Sequence, residues 1–155
     1  METTRHYTAT VYVVSDGAVP LHEHDGLDMW LPPGGHVDRD QLPHEAALRE
    51  VREETGIDAD LVAERDDITS PTTESLPKPA HLRLADVNVH DDFVGHQHVD
   101  MVYYARADTR EIDPEEGEQP ASAWRWFDRE DLDATDDLDA DVAEIARRAI
   151  DAVSE

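Results

Sequence analysis

Two apolar periods run along this chain, and the switch between them marks its elements. Residues 7–15, YTATVYVVS, alternate apolar and polar positions and predict a strand. Asp16-Gly17 is a turn signal, and AVPLHEH after it predicts the second strand of a hairpin. A short strand is expected at Asp28–Leu31, stopped by Pro32-Pro33. Gly34-Gly35 follows, a place where backbone can approach a ligand closely. The period then lengthens to that of a helix running from Leu42 or Pro43 to Thr55. Pro43 suits its first turn and Gly56 its end. Further strands are expected at 59–68, 81–90, 97–107 and in AWRWF, residues 123–127. SPTTESLPKPA, HDDFVG and the acidic EIDPEEGEQPAS read as loops. Residues 139–153 predict an amphipathic helix with Val142, Ile145, Ala146, Ala149 and Val153 on one face.

Length and charge narrow the picture. The 155 residues suit one domain, 1–155, and no internal repeat divides them. With 38 acidic residues against 13 basic ones the formal charge is −25, yet the acids are interleaved with apolar periodicity rather than gathered in a tail. A folded, salt-adapted (halophilic) surface is the expectation, dense carboxylates keeping it hydrated. No basic patch exists to hold a nucleic-acid duplex. No apolar run is long enough to span a membrane, and the N-terminus lacks the pattern of a signal peptide, so a cytoplasmic location is expected. There is no cysteine, which excludes disulfides, thiolate metal sites and cysteine nucleophiles.

The central helix carries the candidate chemistry. At 100° per residue, Ala47, Leu48, Val51 and Thr55 share the core face. Glu50, Glu53 and Glu54 share the adjacent arc, where like charges three and four residues apart repel. One reading is a solvated face laced by Glu45–Arg49 and Arg49–Glu53 pairs. The other is an oxygen site for a hard divalent cation, which would relieve the repulsion.

The wider spacing resembles the Nudix box, G-x5-E-x7-R-E-U-x-E-E-x-G-U, where U is a bulky aliphatic residue. Gly35, Arg49, Glu50, Val51, Glu53, Glu54, Gly56 and Ile57 match. At about 7% usage per residue type, the six non-aliphatic matches have chance odds on the order of one in ten million per start position. The acid bias of the chain raises this about a hundredfold and leaves the signal strong. One position departs: Gln41 stands where the box has its first glutamate. Gln41 can still accept a hydrogen bond from Arg49, with Asp38 and Asp40 nearby to substitute. MWLPPGGHV and AWRWFDREDL extend the resemblance to either side of the box.

The resemblance implies an α/β fold, a Nudix-type α/β/α sandwich with a mixed central sheet. It implies hydrolysis of a nucleoside diphosphate linked to another group, water attacking phosphorus. Glu50, Glu53 and Glu54, with a carbonyl of Gly34 or Gly35, would hold Mg²⁺ or Mn²⁺, and Arg49 would orient Glu50. The general base is a box glutamate or an acid of the late loop, Glu115, Glu116 or Glu118. His98 and Asp100 sit with His96 at alternate positions of one strand, so they share a face and are candidate substrate contacts. His22, Glu23 and His24 invite a zinc reading but lack a well-spaced third ligand. ADP-ribose, an oxidised deoxynucleoside triphosphate and a dinucleoside polyphosphate all stay open as substrate, as does a homodimer. The alternatives are a non-catalytic nucleotide-binding or regulatory Nudix domain, an isopentenyl-diphosphate isomerase, which would ordinarily use a cysteine, and a structural role.

Overall fold

A computed structural model describes residues 2–24, 29–90 and 92–154. Strands β1 (Thr4–Val14), β2 (Val19–His24), β3 (Met29–Leu31) and β4 (Gly34–His36) precede helix α1 (Pro43–Thr55). Then come β5 (Asp60–Val62), β6 (His81–His90), β7 (Phe93–Arg106) and β8 (Trp124–Phe127). Helices α2 (Arg129–Ala134) and α3 (Ala140–Ser154) close the chain. Of the strand expected at 28–31, Asp28 lies outside the described residues.

Strand β7 organises a mixed five-stranded sheet. One edge pairs in parallel with β1, from Thr4↔His96 to Val14↔Arg106. The other edge pairs antiparallel with β6 and then, further along, with β5. β4 pairs antiparallel with the far edge of β1. A second sheet has the order β3-β2-β8.

The expected hairpin of β1 and β2 is therefore corrected. A Ser15↔Ala18 bridge closes the turn, but β2 then leaves to pair with β3 and β8. Local turn chemistry was readable; one of the two partners of β2, β8, lies about a hundred residues away. Of HDDFVG, expected to be loop, His90 ends β6 and Phe93 begins β7, while Asp91 lies outside the described residues. The strand expected at 59–68 ends at Val62, and charged residues 64–67 are exposed.

Alternate residues of β1 and β7 serve two cores. Ala9, Val11, Val13, Tyr103 and Ala105 pack on Ala47 and Val51 of α1 and on Ile57. Tyr12, Val14, Val102 and Tyr104 pack on α3, together with Val19, Leu21 and Phe127. All five residues expected on the core face of α3 are buried, with Ala143 and Ile150 beside them. On α1 the buried face is Ala46, Ala47, Val51 and Thr55, while Leu48 is half-buried. No described helix is long and apolar enough to cross a membrane.

Candidate active site

Helix α1 starts behind Pro43, and the Leu42 amide donates to Glu45 Oε1 at 2.9 Å. That bond takes Glu45 away from the expected pair with Arg49. The helix ends at Gly56, whose φ of +75° suits glycine and whose amide donates to Arg52 O. A Cβ there would also run into the Asp113 carbonyl. The acidic loop after β7 is laid across this helix end. Asp113 N donates to Thr55 O and Glu115 N to Glu53 O, each at 2.8 Å. Two helix carbonyls that would otherwise lack partners are thereby satisfied. The far end of the loop is tied to β2, Gln119 Oε1 lying 3.1 Å from His22 Nδ1. His22 is thus engaged with Gln119 and packed beside Trp124, which gives the His22-Glu23-His24 zinc reading no support.

Glu50 reaches from α1 to β4. An added Cβ at Gly35 would overlap its Oε1 and come within 2.6 Å of its Cδ, so only glycine leaves the carboxylate its place. Glu54 Oε2 accepts the Gly34 amide at 2.8 Å. The two carboxyls also share a hydrogen bond. Burial raises the affinity of both for protons. For Glu54, burial outweighs the Gly34 amide, the charges of Glu50 and Glu118 add to it, and its pKa is pushed up from 4.5 to about 8. For Glu50 the pKa is raised mainly by burial, against the attraction of Arg49.

Arg49 stands between the box acids and the loop that precedes the helix. Its guanidinium lies 3.2 Å from Glu50 Oε1 and 3.2 Å from Glu53 Oε2, and it donates to His36 O at 3.2 Å. Asp38 Oδ2 is 4.0 Å away, so the expected substitution by an acid falls to Asp38. The expected bond to Gln41 is corrected: Gln41 Oε1 and Arg49 Nε are both buried and both lack a partner. An uncharged amide competes poorly with three carboxylates for one guanidinium.

Arg49, Glu50, Glu53, Glu54, Gly34 and Gly35 are thus gathered at one place. Of the three loop acids, Glu118 is the one whose charge reaches Glu50 and Glu54. Glu115 contributes its amide, and Glu116 is exposed beside Gly117. His98 and Asp100 lie on the sheet face of Tyr12 and Val102, opposite α1. Asp100 there accepts the hydroxyls of Thr8 and Thr10 at 2.9 Å.

The profile of the NUDIX domain family matches residues 4–150. The chain belongs to the Nudix family. A crystal structure of a NUDIX-family hydrolase from Clostridium perfringens is 32% identical and superposes with a TM-score of 0.84. It covers 97% of this chain and 99% of that one. A Caenorhabditis elegans Ap4A hydrolase in a binary complex shares the fold, with a TM-score of 0.58 at 18% identity over 96% of this chain and 95% of that one. The asymmetrical bis(5'-nucleosyl)-tetraphosphatase of Mus musculus is 56% identical over 39 residues. That stretch is 25% of this chain and 26% of the mouse enzyme. The mixed α/β fold expected from the sequence is borne out. Nudix hydrolases generally use divalent metals, and Nudix relatives act on nucleotide derivatives.

Two observations test whether the residues here fit such a metal. Burial and mutual repulsion raise the proton affinity of Glu54, and burial that of Glu50, a charge penalty that a bound cation would offset. Gly35 has no Cβ, and the Glu50 carboxylate occupies the space one would fill. Hard carboxylate oxygens are the donors that Mg²⁺ and Mn²⁺ prefer. The residues fit.

Proposed function

We propose that this Nudix hydrolase cleaves the diphosphate linkage of a small nucleotide derivative, with Glu50, Glu53 and Glu54 holding Mg²⁺ or Mn²⁺. The half-buried Glu50–Glu54 pair against Gly35 is the observation that carries this reading. When bound, the divalent ion offsets the charge of the diphosphate oxygens and makes water more acidic.

The chain's own residues do the rest. Arg49 holds Glu50 and Glu53 at fixed separation, so the acids need little rearrangement on binding. The Gly34 amide pins Glu54. Water attacks one phosphorus, the bridging P–O bond breaks, and the water's proton passes to a nearby carboxylate. Glu118 is our choice of base, because its charge already reaches the box acids from a loop that is fixed at both ends.

Diadenosine tetraphosphate heads the substrates to be tried, on the strength of the short match to the mouse tetraphosphatase. ADP-ribose and an oxidised deoxynucleoside triphosphate complete the panel. Incubation with Mg²⁺ or Mn²⁺ in molar KCl, followed by chromatography of the nucleotides, should show turnover of at least one. Glu53→Gln and Glu54→Gln should each lower the rate by orders of magnitude while circular dichroism stays unchanged. No turnover of any compound, with metal and salt supplied, refutes the catalytic reading. A fully active Gln variant removes that residue from the metal site.

A further inference from the structure

Four of the nine histidines converge on one patch of the sheet, on the face opposite α1. His6 comes from β1, His36 from β4, and His96 and His98 from β7. Pairing brings them together: Thr4 lies against His96, His6 against His98, and Thr8 against His36. One ligand nitrogen from each of His6, His96 and His98 can be chosen so that all three lie within 4.8 Å of one another. The His36 ring stands edge-on to His6 and His98, with centroid separations of 5.3 and 5.0 Å.

We propose that His6, His96 and His98, with His36 as the fourth imidazole, form a binding site for a borderline transition-metal ion such as Zn²⁺, separate from the carboxylate site.

Donor chemistry favours this class. Imidazole nitrogen suits Zn²⁺, Ni²⁺ and Cu²⁺, whereas Mg²⁺ and Mn²⁺ take the oxygen donors of the box. Burial and the charges of the other three histidines lower the proton affinity of His98, leaving a neutral ring with a lone pair to offer. Among the described residues, only His96 of the four has a ring hydrogen bond, between its Nδ1 and Thr4 Oγ1 at 2.8 Å. The Thr4 hydroxyl also donates to Gly95 O at 3.3 Å. It can therefore accept the proton of His96 Nδ1, leaving Nε2 free as the ligand. A ligating histidine is commonly oriented by such a bond to its other nitrogen.

The distances are close to what a metal needs. With metal–nitrogen bonds of about 2.0–2.1 Å, tetrahedral ligand nitrogens stand about 3.3 Å apart. Small side-chain rotations of these partly exposed rings close the difference from 4.8 Å. An ion here would cross-link the start of β1 to β7. His36 would extend the link to β4, and its carbonyl carries Arg49. The two metal sites would thus be joined through one residue.

The test is calorimetric titration with Zn²⁺, and Co²⁺ absorption in the visible, at pH 7.5. Both use a Glu53→Gln/Glu54→Gln background, so that the carboxylate site does not compete. One ion per chain and the strong visible bands of tetrahedral Co²⁺ are expected. His98→Ala and His6→Ala should each weaken binding at least tenfold, and the milder His96→Gln should do the same. Thr4→Val should weaken it about tenfold through the orientation of His96. Absence of binding in the unmodified histidine patch overturns the proposal, and so does binding that survives both alanine substitutions. Because the readout is ion binding, it stands or falls independently of hydrolysis.

Discussion

The raised proton affinity of Glu54 makes the stability of the metal-free protein depend on pH in an unusual direction. Glu54 titrates near 8 in the folded chain and at 4.5 when unfolded. Between those values the folded state binds one proton more than the unfolded state. Stability is therefore fully present below pH 4.5 and is lost as pH rises towards 8. The whole span amounts to about 5 kcal/mol at most, at about 1.36 kcal/mol for each tenfold change in proton affinity. The useful window lies above pH 6.5. His22, His81 and His98 have lowered pKa values, so their contributions rise with pH below 6.5 and are flat above it. From pH 6.5 to 8 the loss from Glu54 is about 1–2 kcal/mol. For a chain of this size that lowers Tm by about 2–6 °C. Scanning calorimetry in EDTA and constant molar KCl measures it. Glu54→Gln cannot titrate and should flatten the fall. Added Mg²⁺ should raise Tm more at pH 8 than at 6.5, since the cation displaces the proton. A Tm that does not fall across this window refutes the reasoning, as does an equal fall in Glu54→Gln.

Other outcomes follow from the same geometry. Gly35→Ala places a Cβ on Glu50 and should displace its carboxylate by about 1 Å, costing on the order of a hundredfold in kcat with little loss of fold, as kinetics and circular dichroism together would show. Glu118→Gln should lower kcat at least tenfold and shift the pH–rate profile, whereas Glu115→Gln and Glu116→Gln should leave the rate within a factor of two; equal effects in all three would discard Glu118 as the base. The charge of −25 should make both Tm and hydrolysis rate higher in molar KCl than in 0.1 M at constant Mg²⁺, because the Debye length shrinks from about 10 Å to about 3 Å; thermal melts that coincide at the two salts would reject a salt-adapted surface.

The box helix was legible because its information is local. Glu50, Glu53 and Glu54 share an arc by helical periodicity alone, Pro43 and Gly56 mark the ends, and both bounds lie where expected. The C-terminal helix was legible for the same reason, its apolar face repeating within fifteen residues. What the sequence could not show depends on pairings between distant segments. β2 lies between β3 and β8, and no local pattern announces a partner strand about a hundred residues on. The polar residues of early β1 and β7, including Thr4, His6, His96 and His98, alternate without an apolar face. The sequence placed His96 and His98 on one face of a strand, but only the parallel register between β1 and β7 brings Thr4 and His6 to them. Gln41 shows the limit in the other direction. Its chemistry permitted a bond to Arg49, but the folded chain brings Glu50, Glu53 and Asp38 to the same guanidinium, and stronger acceptors take it. Likewise three acids of the late loop are equivalent by composition. Its backbone bonds to Thr55 and Glu53 set the loop on the helix end, and Glu118 is the acid whose field reaches the box. Residue types and spacings determined which chemistry this protein carries, since these follow from the local period of the chain. Tertiary structure alone decided which partners each charged group meets, because electrostatic contact depends on distance in space rather than along the sequence.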